Sequence, residues 1–312
     1  MWSDYIKPEL ITQFEEENHC QIIVDTYDSN ESMYAKLKLG ASGYDIVMPS
    51  NYYVEIMLKQ QMLQKLDAAQ LPNLKHLDPD YINLIGKEAL TYCVPYTIAI
   101  AGLAYRGDKI THFEPTWNIF ARKDLKGRMT MLNEIREAIG AGLIYLGYNI
   151  NTDQPEQIDA AADQLIKWKQ NLAKFESEQY KNGIASAEFL VSQGYSGDVL
   201  QIMQENPGVD FAYAKEGVIL SSDFLAIPKE ARNLSLAYAF INFLLQPEVA
   251  AQNIQFTLYL APNKSAYPLL GDLQHNPVLF APQEILDKAQ LVRNVGDAAP
   301  LYNRAWDKIK SR

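Results

Sequence analysis

A chain of 312 residues, 48% of them apolar, can bury one large core or two ordinary ones, and two is the default expectation. Its 28 basic and 38 acidic residues leave a formal charge of −10, and no Lys/Arg cluster stands ready to hold a phosphate backbone, so nucleic acid is not an expected partner. No apolar run is long enough to span a membrane, and the histidines, His19, His76, His112 and His275, are scattered singly, which argues against a zinc site or a histidine acid/base centre. Cys20 and Cys93 lie far apart and are compatible with either a pair or two free thiols.

In chain order, Pro8 sits where a first helical turn begins, and Leu10, Ile11 and Phe14 form its apolar stripe. Residues 21–25 read as a strand, Asp28-Ser29-Asn30 as the loop and cap of a helix carrying Met33, Tyr34 and Leu37, and Gly40 as its stop. Residues 44–48, between Gly43 and Pro49, read as a strand covered on both faces. Ser50 then stands where its hydroxyl can cap a helix whose apolar face is Val54, Met57 and Leu58. Such a strand–turn–helix junction lies at the carboxyl ends of the strands in an open α/β sheet, where Ser50, Asn51, Tyr52 and Tyr53 would line a ligand site. The alternative is an ordinary turn with a serine cap.

Residues 90–96 form a further strand candidate in which Pro95 marks an end or an edge. A second apolar run, 98–105, leads to a Gly107-Asp108 turn, and 129–132 is a strand candidate feeding a helix with Glu134 and Glu137 at its start. The spacing of Ile158, Ala161, Leu165 and Trp168 predicts a helix over 155–172 with Trp168 in the core. Gly194-Tyr195-Ser196-Gly197-Asp198 resembles the earlier loop, with an acid where a helix begins. Residues 218–228 read as a strand broken at Ser221-Ser222-Asp223; an acid inside an apolar strand must meet a positive group or face a cleft, and the cleft is the favoured reading. Residues 234–245 form a strongly apolar helix ended by Pro247, and 258–262 a short extended piece holding Tyr259.

No nucleophile, P-loop or dinucleotide motif is present: Ser196 lies in GYSGD, which is not G-x-S-x-G. An enzyme of amines would need a cofactor motif or an acid/base pair, and none is found, so neither cofactor nor catalytic residue is expected. What recurs is an acid near an aromatic at predicted strand ends and helix starts: Trp2, Asp4 and Tyr5; Ser50 and Tyr52; Glu134 and Glu137; Tyr195 and Asp198; Asp223; Tyr259. Carboxylates interleaved with aromatic faces suit alkylammonium groups, because the carboxylate takes the N–H and the ring takes the charge and the methylenes.

The stretches WSDYIKPE (2–9), YDSNESMYAKL (27–37), YDIVMPSNYYV (44–54), LQKLDAAQLPNLKHLDPD (63–80), GYSGDV (194–199), SSDFLAIP (221–228), INFLLQPEVA (241–250), YLAPNKSA (259–266) and RAWDKIKS (304–311) resemble, in order and over essentially the whole chain, the periplasmic spermidine/putrescine-binding proteins of bacterial ABC transporters. The resemblance implies an α/β fold of the type II periplasmic-binding kind: two doubly wound lobes, 1–100 with 222–267 and 101–221 with 268–312, and a ligand cleft between them. It implies a monomeric, non-enzymatic receptor that captures a polyamine in the periplasm and delivers it to a membrane permease; a sensing receptor with the same pocket, or a receptor for another small cation, is the alternative.

Residue by residue, the resemblance makes Trp2, Asp4 and Tyr5 the opening wall of the site, Ser50 and Tyr52 its loop, Glu134 and Glu137 the acids for one end of the ligand, Asp198 a further acid, Asp223 the principal carboxylate, and Tyr259 a lining ring. Tyr195 stands where the family usually has Trp, Ser221 replaces a stacking aromatic, and Val292 lies where spermidine binders place Gln. The family also carries a signal peptide and a central strand ahead of the Trp motif. Met1 precedes Trp2 directly, so that strand is either missing or the sequence begins late, and the expectation is an exported protein.

Overall fold

The computed structural model describes residues 1–2, 5–27, 29–39 and 43–311. Its first helices are α1 (Pro8–Asn18), α2 (Asn30–Lys38), α3 (Asn51–Lys59) and α4 (Pro79–Ile85). Then follow β1 (Cys93–Arg106), β2 (Met129–Met131), α5 (Ile135–Tyr145), α6 (Pro155–Lys169), β3 (Lys174–Phe175), α7 (Tyr180–Ala185), β4 (Val191–Tyr195) and α8 (Ser196–Glu205). The chain ends with β5 (Val209–Ala212), β6 (Val218–Ala226), α9 (Leu234–Leu244), α10 (Pro247–Thr257), α11 (Gln283–Leu286), β7 (Ala289–Leu291) and α12 (Ala299–Ser311). It folds as two units, residues 1–98 with 221–276 and residues 99–220 with 277–312.

In the first unit, Pro8 opens α1, where its missing N–H costs no helical hydrogen bond, and the helix buries Leu10 and Phe14. The Phe14 ring packs 4.8 Å from Phe240 and 5.4 Å from Phe243 of α9. Helix α9 is apolar over most of its surface and buries Ala237, Tyr238, Phe240, Ile241, Phe243 and Leu244, as a helix sunk into a core must. Pro247 ends that pattern by starting α10. The side chain of Ser29 caps α2 by accepting from the Ser32 amide at 3.2 Å. The expected stop at Gly40 lies outside the described residues.

Several expected elements differ. Residues 21–25 form no strand: among the described residues the Met1 amino group donates to the Asp25 carbonyl at 2.5 Å, the Tyr27 amide donates to the Met1 carbonyl at 3.1 Å and the Ile22 amide donates to the Glu15 side chain at 2.7 Å, with no ladder formed. Backbone groups without a laddering neighbour do not make a sheet, however strand-like the side chains. Residues 44–48 likewise reduce to a bridge between Val47 and Ala226, with both hydrogen bonds at 2.9 Å. A cavity of about 330 Å³ lies beside these two segments, walled by Ile11, Phe14, Met33, Leu37, Ala237 and Phe240 among others. The remaining bridges of this unit join Ser50 to Asp223, Leu63 to Pro228, Leu77 to Asn263 and Ile98 to Leu260.

Pro95 does not end a strand: it is the third residue of β1, and a proline near the start of a strand is tolerated there. Residues 93–106 are therefore one strand rather than two runs. Strand β6 is also continuous through Ser221-Ser222-Asp223, because the Ser222 and Asp223 side chains find partners without breaking the backbone.

The strands follow the order β3-β2-β4-β1-β6-β7, with β5 against β1 off this path, and β1 and β6 each have residues in both units. β2 runs parallel to β3 and β4, and β6 parallel to β7, while β1 is antiparallel to β4 and β5. Gly102 permits the last contact, since a Cβ there would stand 2.4 Å from the Phe211 ring. α6 buries Ile158, Ala161, Ala162, Leu165 and Trp168, as the spacing predicts, and ends at Lys169. No single helix among the described residues is long and apolar enough to cross a membrane. Cys20 is a half-buried free thiol and Cys93 a buried one.

Candidate functional site

In the first unit, backbone pairing brings Ser50 opposite Asp223 on β6, and the Phe224 amide donates to the Pro49 carbonyl at 2.9 Å. Ser50 occupies the cap position of α3 but makes no side-chain cap bond. Its hydroxyl instead donates to Asp223 Oδ1 at 2.6 Å and accepts from Asn30 Nδ2 at 3.0 Å, which corrects the expectation of a serine cap: the oxygen that would accept an α3 amide is turned to these two partners. The Tyr5 hydroxyl donates to Asp223 Oδ2. That single proton is then spent, so in the 2.7 Å contact with Thr97 Oγ1 it is Thr97 that donates.

Tyr5 is positioned by its backbone as much as by its ring. Its carbonyl accepts from Tyr96 OH at 2.8 Å and from Asn253 Nδ2 at 3.3 Å, and Asn253 Nδ2 also reaches Tyr96 OH at 2.7 Å. The Tyr96 and Tyr259 rings stand 5.7 and 6.1 Å from the Tyr5 ring, making Tyr259 part of the same aromatic group. Trp2 packs edge-on against Tyr27 at 4.9 Å, and Tyr27 OH donates to the Met48 carbonyl at 2.5 Å. Among the described residues the buried Trp2 indole N–H has no hydrogen-bond partner. Tyr52 joins the set through Asn30, whose Nδ2 lies 3.4 Å from its hydroxyl. Asp4 lies outside the described residues.

Burial pushes the Asp223 carboxyl up from its ordinary value, and the Ser50 and Tyr5 hydrogen bonds pull it back down. Tyr5 is pushed far up by burial and by the neighbouring carboxylate, so it remains a neutral donor. Among the described residues no lysine, arginine or histidine forms an ion pair with Asp223. A desolvated carboxylate with two hydroxyl donors, an aromatic surround and no protein cation has the chemistry of an ammonium acceptor.

In the second unit, Glu134 is the exposed cap residue of α5, and Glu137 lies buried in its first turn. The Glu137 carboxyl is pushed up to about 8, chiefly by burial and next by Glu134, with Arg136 acting in the opposite direction. Its Oε2 has no partner among the described residues, although its backbone carbonyl accepts from Gln193 Nε2 at 3.0 Å. Tyr195 caps α8, and Asp198 in the first turn accepts from Tyr180 OH at 2.7 Å. Lys181 Nζ also stands 4.0 Å from Asp198, so this acid, unlike Asp223, has a basic neighbour that the sequence reading did not anticipate. Among the described residues no group of three metal-ligating side chains occurs.

The structure thus brings Tyr5, Ser50, Tyr52, Asp223 and Tyr259 together, places Trp2 beside Tyr27, and sets Glu134 with Glu137 and Tyr195 with Asp198 at two helix starts. Sequence reasoning missed Asn30, Thr97, Tyr27 and Tyr180, which touch the candidates without being acids. Asn30 was read only as part of a loop and cap; its place beside Ser50 follows from the pairing of distant segments.

The chain was compared with known proteins. Residues 9–281 match the model of a family described as bacterial extracellular solute-binding protein. The spermidine/putrescine-binding periplasmic protein of Escherichia coli is 34% identical over 99% of this chain and 90% of its own length. A putrescine-binding periplasmic protein of Pseudomonas aeruginosa is 31% identical with the same coverage of both chains. The crystal structure of the Tp0655 (TpPotD) lipoprotein of Treponema pallidum superposes with a TM-score of 0.91 at 34% identity, covering 100% of this chain and 98% of that one. The two-lobed α/β architecture is that of periplasmic solute-binding proteins, and the chain belongs to the bacterial extracellular solute-binding protein family.

Proposed function

We propose that the protein is a periplasmic receptor that binds a polyamine, spermidine or putrescine, and delivers it to the permease of an ABC transporter. The observation that carries this reading is Asp223: a desolvated carboxylate with hydroxyl donors on both oxygens, aromatic rings around it and no cation paired with it among the described residues. A cation from solution completes such a site. The names of the relatives supply the class of cation, and the aromatic residues fit a ligand that combines charge with methylene groups. Trp2, Asp4, Tyr5, Ser50, Tyr52, Asp223 and Tyr259 are the proposed contacts in the first unit, and Glu134, Glu137, Tyr195 and Asp198 those in the second.

The receptor acts as a monomer, catalyses no reaction and binds no nucleic acid; its surplus of acids and the absence of a basic cluster in the sequence support the last point. Isothermal calorimetry with putrescine, spermidine, cadaverine and lysine tests the reading. The expected result is binding of the polyamines, weakened by added salt as a carboxylate-held cation must be. Binding of lysine in preference to every polyamine, or of none of the four, would sink it.

A further inference from the structure

We infer that Asn30 is a positioning residue: through Ser50 it fixes the direction of the hydrogen bond that holds Asp223 as a cation acceptor. The inference rests on the binding reading for its consequence, but its geometry stands alone. The Ser50 amide approaches Asn30 Oδ1 at 3.0 Å. A backbone N–H only donates, so the Asn30 atom facing it is the oxygen, and the other end of the side-chain amide is the NH₂ group. That nitrogen stands 3.0 Å from Ser50 Oγ and donates to it. The hydroxyl, already accepting there, directs its one hydrogen to Asp223 Oδ1 at 2.6 Å.

The sense of the chain is therefore Asn30 to Ser50 to Asp223, set at its far end by a donor that cannot reverse. Without Asn30 the Ser50 hydroxyl is free to turn, and its ability to favour the ionised carboxylate is diluted among other rotamers. Asn30 is 4% exposed, so water does not readily replace it. The same NH₂ group reaches Tyr52 OH at 3.4 Å, so one side chain orients two proposed contacts.

The titratable groups that face Asp223 among the described residues are Tyr5 and Tyr27; both phenols are pushed up, chiefly by burial and next by Asp223 itself, and stay neutral while the carboxyl titrates. Asp223 can thus be followed by itself, by carboxyl ¹³C NMR of the ligand-free protein carrying labelled aspartate. The test compares wild type, Asn30→Ala, Ser50→Ala and the double variant, and measures putrescine affinity for each by calorimetry. Asn30→Ala is expected to raise the Asp223 midpoint and to weaken putrescine about tenfold, as for one lost hydrogen bond, and to move the Asp223 midpoint no further once Ser50 is Ala.

An unchanged midpoint in Asn30→Ala, or a midpoint shift that adds in full to that of Ser50→Ala, overturns the inference. Should Asn30→Ala fail to fold, Asn30→Ser, a residue suited to a helix start but too short to bridge to Ser50 Oγ, is read the same way. If wild type binds no polyamine while the midpoints move as expected, the receptor reading fails and the role of Asn30 stands.

Discussion

Two carboxyls in this protein are desolvated in different ways, and their substitutions should separate. Asp223 keeps two hydroxyl donors, so it is held ready to be ionised, and Asp223→Asn leaves an incoming ammonium without its counter-charge. The expected cost is about 2–5 kcal/mol of polyamine binding free energy, read by calorimetry, since one member of a desolvated charge pair is removed. Full affinity in that variant would show that the ligand's charge is met elsewhere. Glu137 has no donor on Oε2 among the described residues, and its carboxyl is raised to about 8. The folded protein then holds a proton that the unfolded chain releases near the ordinary value, so stability from this group is full below about pH 4 and is lost as pH rises towards 8. Thermal melts of ligand-free Glu137→Gln should therefore match wild type near pH 5 and exceed it near pH 8, by a difference of up to a few kcal/mol. A melt that follows wild type at both pH values would mean that the Glu137 side chain reaches water.

The helices show what a sequence carries at the scale of elements. α1, α6 and α9 were legible because an amphipathic or wholly apolar stripe, with Pro8 at a first turn and Pro247 as a stop, is local information, and α5 was legible from the acids at its start. Trp168 was legible as core for the same reason, and it is fully buried 5.3 Å from the Tyr145 ring. The failures are all questions of pairing. Residues 21–25 have strand-like side chains but form no ladder among the described residues, Pro95 stays inside β1, and Asp223 was expected to break β6 because its Tyr5 and Ser50 partners, 218 and 173 residues away, could not be read from spacing. The acids and rings of the candidate site were legible as a chemical class, whereas the neutral residues that aim them, Asn30 and Thr97, were not. A contrast follows from burial. Trp168→Ala should cost about 3–5 kcal/mol in chemical denaturation by emptying a packed site. Ile23→Lys, in the segment without a ladder and at a side chain 87% exposed, should fall within about 0.5 kcal/mol of wild type. A large loss at Ile23 would mean that the segment is packed against something in solution.

At the scale of the whole molecule, the proposed contact of Glu137 with the ligand predicts that binding is tied to proton release. With its carboxyl at about 8, Glu137 is roughly nine-tenths protonated at neutral pH in the ligand-free protein. A carboxyl that becomes the partner of an ammonium is stabilised in its charged form, so its titration shifts down and the proton leaves. Asp223, already assisted by Ser50 and Tyr5, has less proton to give, and Glu137 is the expected source. Calorimetric titration with putrescine or spermidine at pH 7, in buffers of different ionisation enthalpy, should give apparent enthalpies that fall as the buffer's ionisation enthalpy rises, because the buffer takes up the released proton, with a slope near minus one for about one proton released per ligand. In Glu137→Gln that slope should vanish while heat from binding remains. Identical enthalpies in all buffers for wild type would mean that Glu137 keeps its proton when the ligand is bound, and would remove it from the set of residues that meet the ligand's charge.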